Sequence, residues 1–231
     1  MSYIKGKYQV GRIDSLVLDD QYPTKEYIKE YIMTNKLGSI FVALGATALV
    51  TACSSSPTPF EALDGKANAM ADRLLALDIT PAESMPEAGT ATFNGFIGIG
   101  SGTEEELAAL AEDELPEGAI LGELTLEATF ADGFVDGTAS NFLGENSETF
   151  GGELTIIQDV VDFEPAEFEG TIDGTLTNGG DEYLVDLDSF GIFLGLADGQ
   201  PEGLAGLATG TIQENALEPE LAVGAFIAEI E

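Results

Sequence analysis

The 231-residue chain has no histidine, no tryptophan, a single cysteine, and eight Lys and Arg against 42 Asp and Glu. Each shortage removes a class of chemistry. Without histidine, and with its one thiol at Cys53, the chain has no residues for a Cys/His zinc set, a Ser–His or Cys–His nucleophile pair, or a haem ligand of either type. One cysteine closes no disulfide within the chain, so the fold must be held by packing. The bases are confined as well as few: only Lys66 and Arg73 follow Cys53, and none follows Arg73. Five of the 42 acidic residues (Asp14, Asp19, Asp20, Glu26, Glu30) precede Cys53, which leaves 37 acids facing two bases beyond it. A surface of that sign repels phosphate, so nucleic acid is excluded as a partner and anionic lipid head groups are disfavoured. Yet 44% of the residues are hydrophobic, too many for a disordered acidic chain and enough for one packed domain.

What is present divides at Cys53. Lys36 precedes an apolar run over 37–49, too short for a secure membrane span, and small residues follow it. Val50-Thr51-Ala52-Cys53 resembles the lipobox of bacterial lipoproteins, in which the residues before the cysteine fit a dedicated signal peptidase and the cysteine becomes the lipidated N-terminus. The resemblance implies a signal peptide over 33–52, translation starting at Met33, and residues 1–32 arising from an upstream start. It also implies attachment to a membrane through Cys53. Ser54 directly after that cysteine is compatible with sorting to the outer membrane, by likeness to known lipoproteins. Ser and Pro over 53–59 then form a tether.

Beyond the tether, Leu63, Ala67, Met70, Leu74 and Leu77 recur at steps of three and four, which predicts a helix over 60–78 with one apolar stripe. From Gly89 the pattern changes to glycine, threonine and apolar alternation. Strands are predicted at 90–99, 119–130, 134–142, 149–157, 167–176, 182–194 (with a break near Ser189), 204–212 and 221–230, and a short helix over 103–114. Ala131-Asp132-Gly133 and Asn178-Gly179-Gly180-Asp181 supply the residues that hairpin turns require. In 123–130 and 168–176 the alternation buries one face and solvates the other. Eight antiparallel strands joined by hairpins predict a mainly β fold, a single up-and-down barrel over 89–231 behind a helix and linker over 60–88. Glycines inside the strands mark bends and crowded interior positions. Asp and Glu on the outward face, with no aromatic girdles, argue against a lipid-facing barrel.

Over about 121–230 the chain resembles the C-terminal barrel domain of transferrin-binding-protein-B-like surface lipoproteins. Four stretches carry the likeness in order: 128–137 with Phe130, Val135 and Gly137; 168–174 with Phe168 and Gly170; the glycine-rich 203–211; and 223–228, ending Phe226-Ile227-Ala228. Gly203-Leu204-Ala205-Gly206 stands where that family often has an aromatic-Gly-Pro segment, Glu229 stands where a base often closes the last strand, and one barrel replaces two lobes. The resemblance implies a surface lipoprotein that binds a protein or small ligand, and carries over no binding residue; the chain is expected to be a monomer, and no cofactor is assigned.

Carboxylate pairs are so frequent here that no pair by itself indicates glycoside hydrolysis. Asp186 and Asp188, two apart on a strand, read as a solvated face. The 186–191 stretch opens like a calcium loop, but Phe190 takes a ligand position and Ala197 stands in place of the bidentate Glu, so no metal site is assigned. Ser and Thr have no His or Lys near them in the barrel to act as base, which argues against an enzyme. A binder should expose apolar residues in its connections, and the candidates are Phe142, Leu143, Phe163 and Pro165; a coat protein serving as an inert acidic spacer should not.

Overall fold

Thr58 caps a helix: its Oγ1 accepts from Glu61 N at 3.2 Å, while Glu61 Oε2 accepts from Thr58 N at 2.7 Å. With Pro59 in the first turn, this launches α1, Pro59–Leu74. The computed structural model describes residues 56–109, 116, 118–163 and 166–231. After α1 come a 3₁₀ turn (Ala82–Ser84), β1 (Thr90–Gly102), α2 (Glu104–Ala109), β2 (Ile120–Thr129), β3 (Phe134–Gly144), β4 (Thr149–Phe163), β5 (Ala166–Asn178), β6 (Asp181–Leu194), β7 (Gly203–Glu214) and β8 (Glu220–Ile230). The eight strands pair antiparallel with their sequence neighbours, and β8 pairs with β1 to close the barrel. Among the described residues no helix is long and apolar enough to cross a membrane.

Two predicted elements need correction. The helix stops at Leu74 rather than 78, because the following residues serve the barrel: Gly195 N donates to Asp78 O at 2.8 Å, and Ile79 bridges to Leu194. No break occurs near Ser189. It pairs with Gly170 on β5 and Ala208 on β7, and its hydroxyl accepts from Gln158 Nε2 at 2.7 Å inside the barrel. Only 104–109 of the second predicted helix is described as helical; 110–115 lies outside the described residues.

Alternation along the strands makes two cores. The inward rows pack Phe93, Leu126, Ile156, Phe168, Leu187 and Phe226 with their neighbours into the barrel interior. The outward rows of six strands, β1 to β3 and β6 to β8, carry a second apolar patch that includes Phe96, Leu121, Phe190, Ile192 and Ile227, and α1 covers it with Phe60, Leu63, Ala67, Met70 and Leu74. Each large side chain buried this way contributes about 1.5–3 kcal/mol. The helix therefore belongs to the domain rather than to the tether.

One residue in that second core is out of place. Asp64 is 5% exposed beneath α1, with Asn68 as its hydrogen-bond partner and Oδ1 unsatisfied. Burial raises its carboxyl from the ordinary 3.8 to about 6, and the bond from Asn68 offsets only part of that. The folded state thus holds this proton more tightly than the unfolded state. Stability from this residue is greatest at acid pH and falls as pH rises from about 4 to about 6, by about 3 kcal/mol in all. Asp64→Asn is therefore expected to raise urea resistance at pH 7.5 by about 1–3 kcal/mol and to leave it nearly unchanged at pH 4, measured as paired unfolding curves at the two pH values.

Candidate functional site

The two ends of the barrel are filled differently. At the end where β8 finishes, Phe193 lies 6.1 Å from Phe93, 6.3 Å from Phe130 and 5.1 Å from Phe168 between ring centroids, and Phe168 lies 6.2 Å from Phe226. The linker after α1 crosses the same end. Thr80 N donates to Phe193 O at 2.9 Å, its Oγ1 donates to Gly195 O at 2.6 Å, and Met85 packs on the inner core. Aromatic rings and linker together plug this end.

The opposite end, where the β3–β4, β5–β6 and β7–β8 turns lie, keeps a cavity of about 200 Å³. Its walls are Ile99, Ile120, Phe150, Leu176, Val185 and Ile212, joined by Tyr183, Ser101 and the backbone of Gly100 and Gly118. Phe150 and Tyr183 form a ring pair there, edge-on at 5.6 Å. A volume of this size has room for a body of roughly six to eight carbons against its apolar walls.

Among the described residues, the charged groups at the mouth are carboxylates. Ser101 Oγ donates to Glu220 Oε2 at 3.2 Å. Burial first, and then the charges of Glu214 and Asp181, push the Tyr183 hydroxyl up, so the phenol stays neutral and able to donate. Asn215 fixes Asp181 by donating from Nδ2 to Oδ1 at 3.0 Å. Nearby, Thr103 and Glu106 cap α2 reciprocally, and the bonds from Thr103 hold the Glu106 carboxyl below its usual range. No Lys or Arg lies beyond Arg73 to offset these carboxylates. Such walls bury apolar carbon, and such a rim favours positive charge.

Of the sequence-predicted residues, Phe142 and Leu143 do not line this cavity. Phe142 is fully buried: a bulge at Asn141, which has a φ of 56°, shifts the alternation so that Phe142 points inward over Gly122. A Cβ on Gly122 would lie 2.5 Å from that ring, so glycine there makes room for the phenyl group. Leu143 consequently points outward and packs against the cluster beneath α1. Phe163 ends β4 by its backbone, but its side chain, like Pro165 and Val50, Thr51, Ala52 and Cys53, lies outside the described residues. Phe142 is thus a core residue, not part of an exposed binding patch. Asp186 and Asp188 stand on the outer face of β6, exposed. Among the described residues no three carboxylates converge as metal ligands would.

The mouth residues were not singled out from the sequence. Their only signal is the grading of inward residues along a strand, as in β6, which runs Tyr183, Val185, Leu187, Ser189, Gly191, Phe193, and this pattern means something only once the register is known. As a core residue, Phe142 sets a clear expectation: Phe142→Ala should cost about 3–5 kcal/mol in urea unfolding, and a neutral result would return it to the surface.

No protein-family model matches this chain, and no curated protein matches it either.

Proposed function

We propose that this protein is a non-catalytic binding module, held to the outer membrane by an acylated Cys53 and built on a barrel of the transferrin-binding-protein-B-like kind, that takes a small apolar ligand at its mouth. The observation that carries the reading is the unequal filling of the barrel. One end is plugged by five phenylalanines and a linker, while the other retains about 200 Å³ between mainly apolar walls that include Phe150 and Tyr183. A protein needing only a rigid spacer has no use for that asymmetry, and empty apolar volume costs stability. Family likeness is supported by where its motifs fall: 128–137 forms the β2–β3 hairpin, Phe168 and Gly170 lie on β5, 203–211 on β7 and 223–228 on the closing strand.

A second reading, an acidic coat protein, is favoured by one observation. Phe142 is internal and Leu143 is covered, so these two connection candidates offer no exposed patch. The two readings part at the mouth.

The test uses residues 54–231 exported behind a cleavable signal peptide that leaves no acylated cysteine. Acylation at Cys53 is the proposed membrane attachment, and this form should move from the membrane to the aqueous fraction. In the released chain, cyclohexane should shift the methyl resonances of Leu176, Val185 and Ile212 and leave those of Leu126 and Val135, deep in the core, in place. Continued membrane association would remove the anchor from the account. Unmoved mouth methyls would leave the coat reading standing.

A further inference from the structure

The mouth and the tether lie at the same end of the barrel. Phe60 N, in the first turn of α1, faces Ser147 Oγ at 3.4 Å in the turn between β3 and β4, and Phe150, at the start of β4, lines the cavity. The helix then runs to the plugged end, where Leu74 packs over Gly203 and Leu77 over Gly195. Thr58 is five residues from Cys53, a distance that extended chain spans in roughly 18 Å at most. An anchor at Cys53 therefore holds the mouth, not the plug, beside the bilayer.

Three features then restrict the ligand. The cavity admits a short alkyl segment but not a whole lipid, being smaller than the roughly 300–1,000 Å³ usual for drug-sized ligands. Its rim carries Glu220 against Ser101, and Asp181 and Glu214 beside Tyr183. No basic residue follows Arg73, so nothing in the barrel itself neutralises an anionic head group. We infer that the mouth takes the alkyl chain of a single-chain amphiphile with a cationic or uncharged head, received from the membrane surface. This rests on the anchored-binder reading above and adds the ligand's chemistry and source.

The first test compares three eight-carbon amphiphiles below their micelle concentrations, octyltrimethylammonium, octyl glucoside and octanoate, with the unacylated form over residues 54–231, read by the methyl resonances of Leu176, Val185 and Ile212. At about 0.01 M salt the ammonium compound should bind at least tenfold more tightly than octanoate, and the ratio should shrink to within about threefold near 1 M salt, where screening acts over about 3 Å. Asp181→Asn with Glu214→Gln should narrow the same ratio at low salt. Filling the mouth by Val185→Phe, or by Ile212→Phe should the first variant not fold, should abolish the mouth shifts. Equal affinity for octanoate and the ammonium compound at low salt would overturn the inference. So would ammonium binding that survives mouth filling, because that is attraction to surface charge alone. If none of the three compounds moves the mouth methyls, the binder reading itself fails.

The source is tested with a spin-labelled long-chain alkyltrimethylammonium in phosphatidylcholine vesicles. The acylated protein anchored in those vesicles should show broadened mouth methyls at a label content at least tenfold lower than the unacylated form over residues 54–231 requires. Equal broadening in the two would assign the ligand to solution and overturn the membrane source.

Discussion

A sheet of eight strands that closes on itself encloses a narrow space, and how closely its strands approach sets everything else in this protein. The inward rows contain glycines because backbone from the next strand occupies the place of a side chain. A Cβ on Gly95, Gly137, Gly170 or Gly210 would collide with the carbonyl oxygen of Ile227, Thr125, Ile157 or Asp186, respectively. Elsewhere glycine makes room for rings, as Gly191 does for Phe168 and Gly206 for Phe226. Gly170 also opens a path between Gln158 on β4 and Ser189 on β6, whose hydrogen bond spans the β5 position between them. Five phenylalanine rings meet at one end. The other end has Phe150 and Tyr183 among Ile, Leu and Val around an unfilled volume.

This packing holds against an unfavourable exterior. Glu127 stands directly opposite Asp136, and Asp173 opposite Asp186, pairings of like charge that destabilise a sheet. The two bases beyond Cys53 both lie on α1, and Arg73 pairs with Glu229 at the end of β8. An exposed pair of this kind is worth about 0–1 kcal/mol, so it contributes little beside the apolar face of α1. The interior and the helix-covered patch carry the stability, and the charged face sets what can approach.

Much of this was legible in the sequence because barrel strands write their register directly as alternation. The segment Glu123 to Phe130 alternates without interruption and forms β2 with its glutamates outside. Three features were not legible, each for a physical reason. Asn141 takes a left-handed backbone and inverts the alternation after it, so Phe142 is inward although its place near a turn suggests exposure. Ser189 reads as a break because a hydroxyl in an apolar run resembles a turn, whereas its partner Gln158 lies two strands away. The mouth depends on the difference in residue size between the two ends of the inward rows, which involves side chains from six strands at once. The 60–78 stripe located the helix correctly but extended it by four residues, since Leu77 keeps the helical spacing while packing against Gly195 as part of the linker.

Among the described residues, the unfilled volume at the mouth is what separates a binder from a spacer. Xenon reports such volumes because it binds where dispersion contacts with apolar walls are available. Crystals of the protein under xenon pressure should show one ordered atom between Ile99, Phe150, Leu176, Val185 and Ile212, and none among Phe93, Phe168, Phe193 and Phe226. Xenon at the phenylalanine end, or a mouth that admits none, would contradict the account.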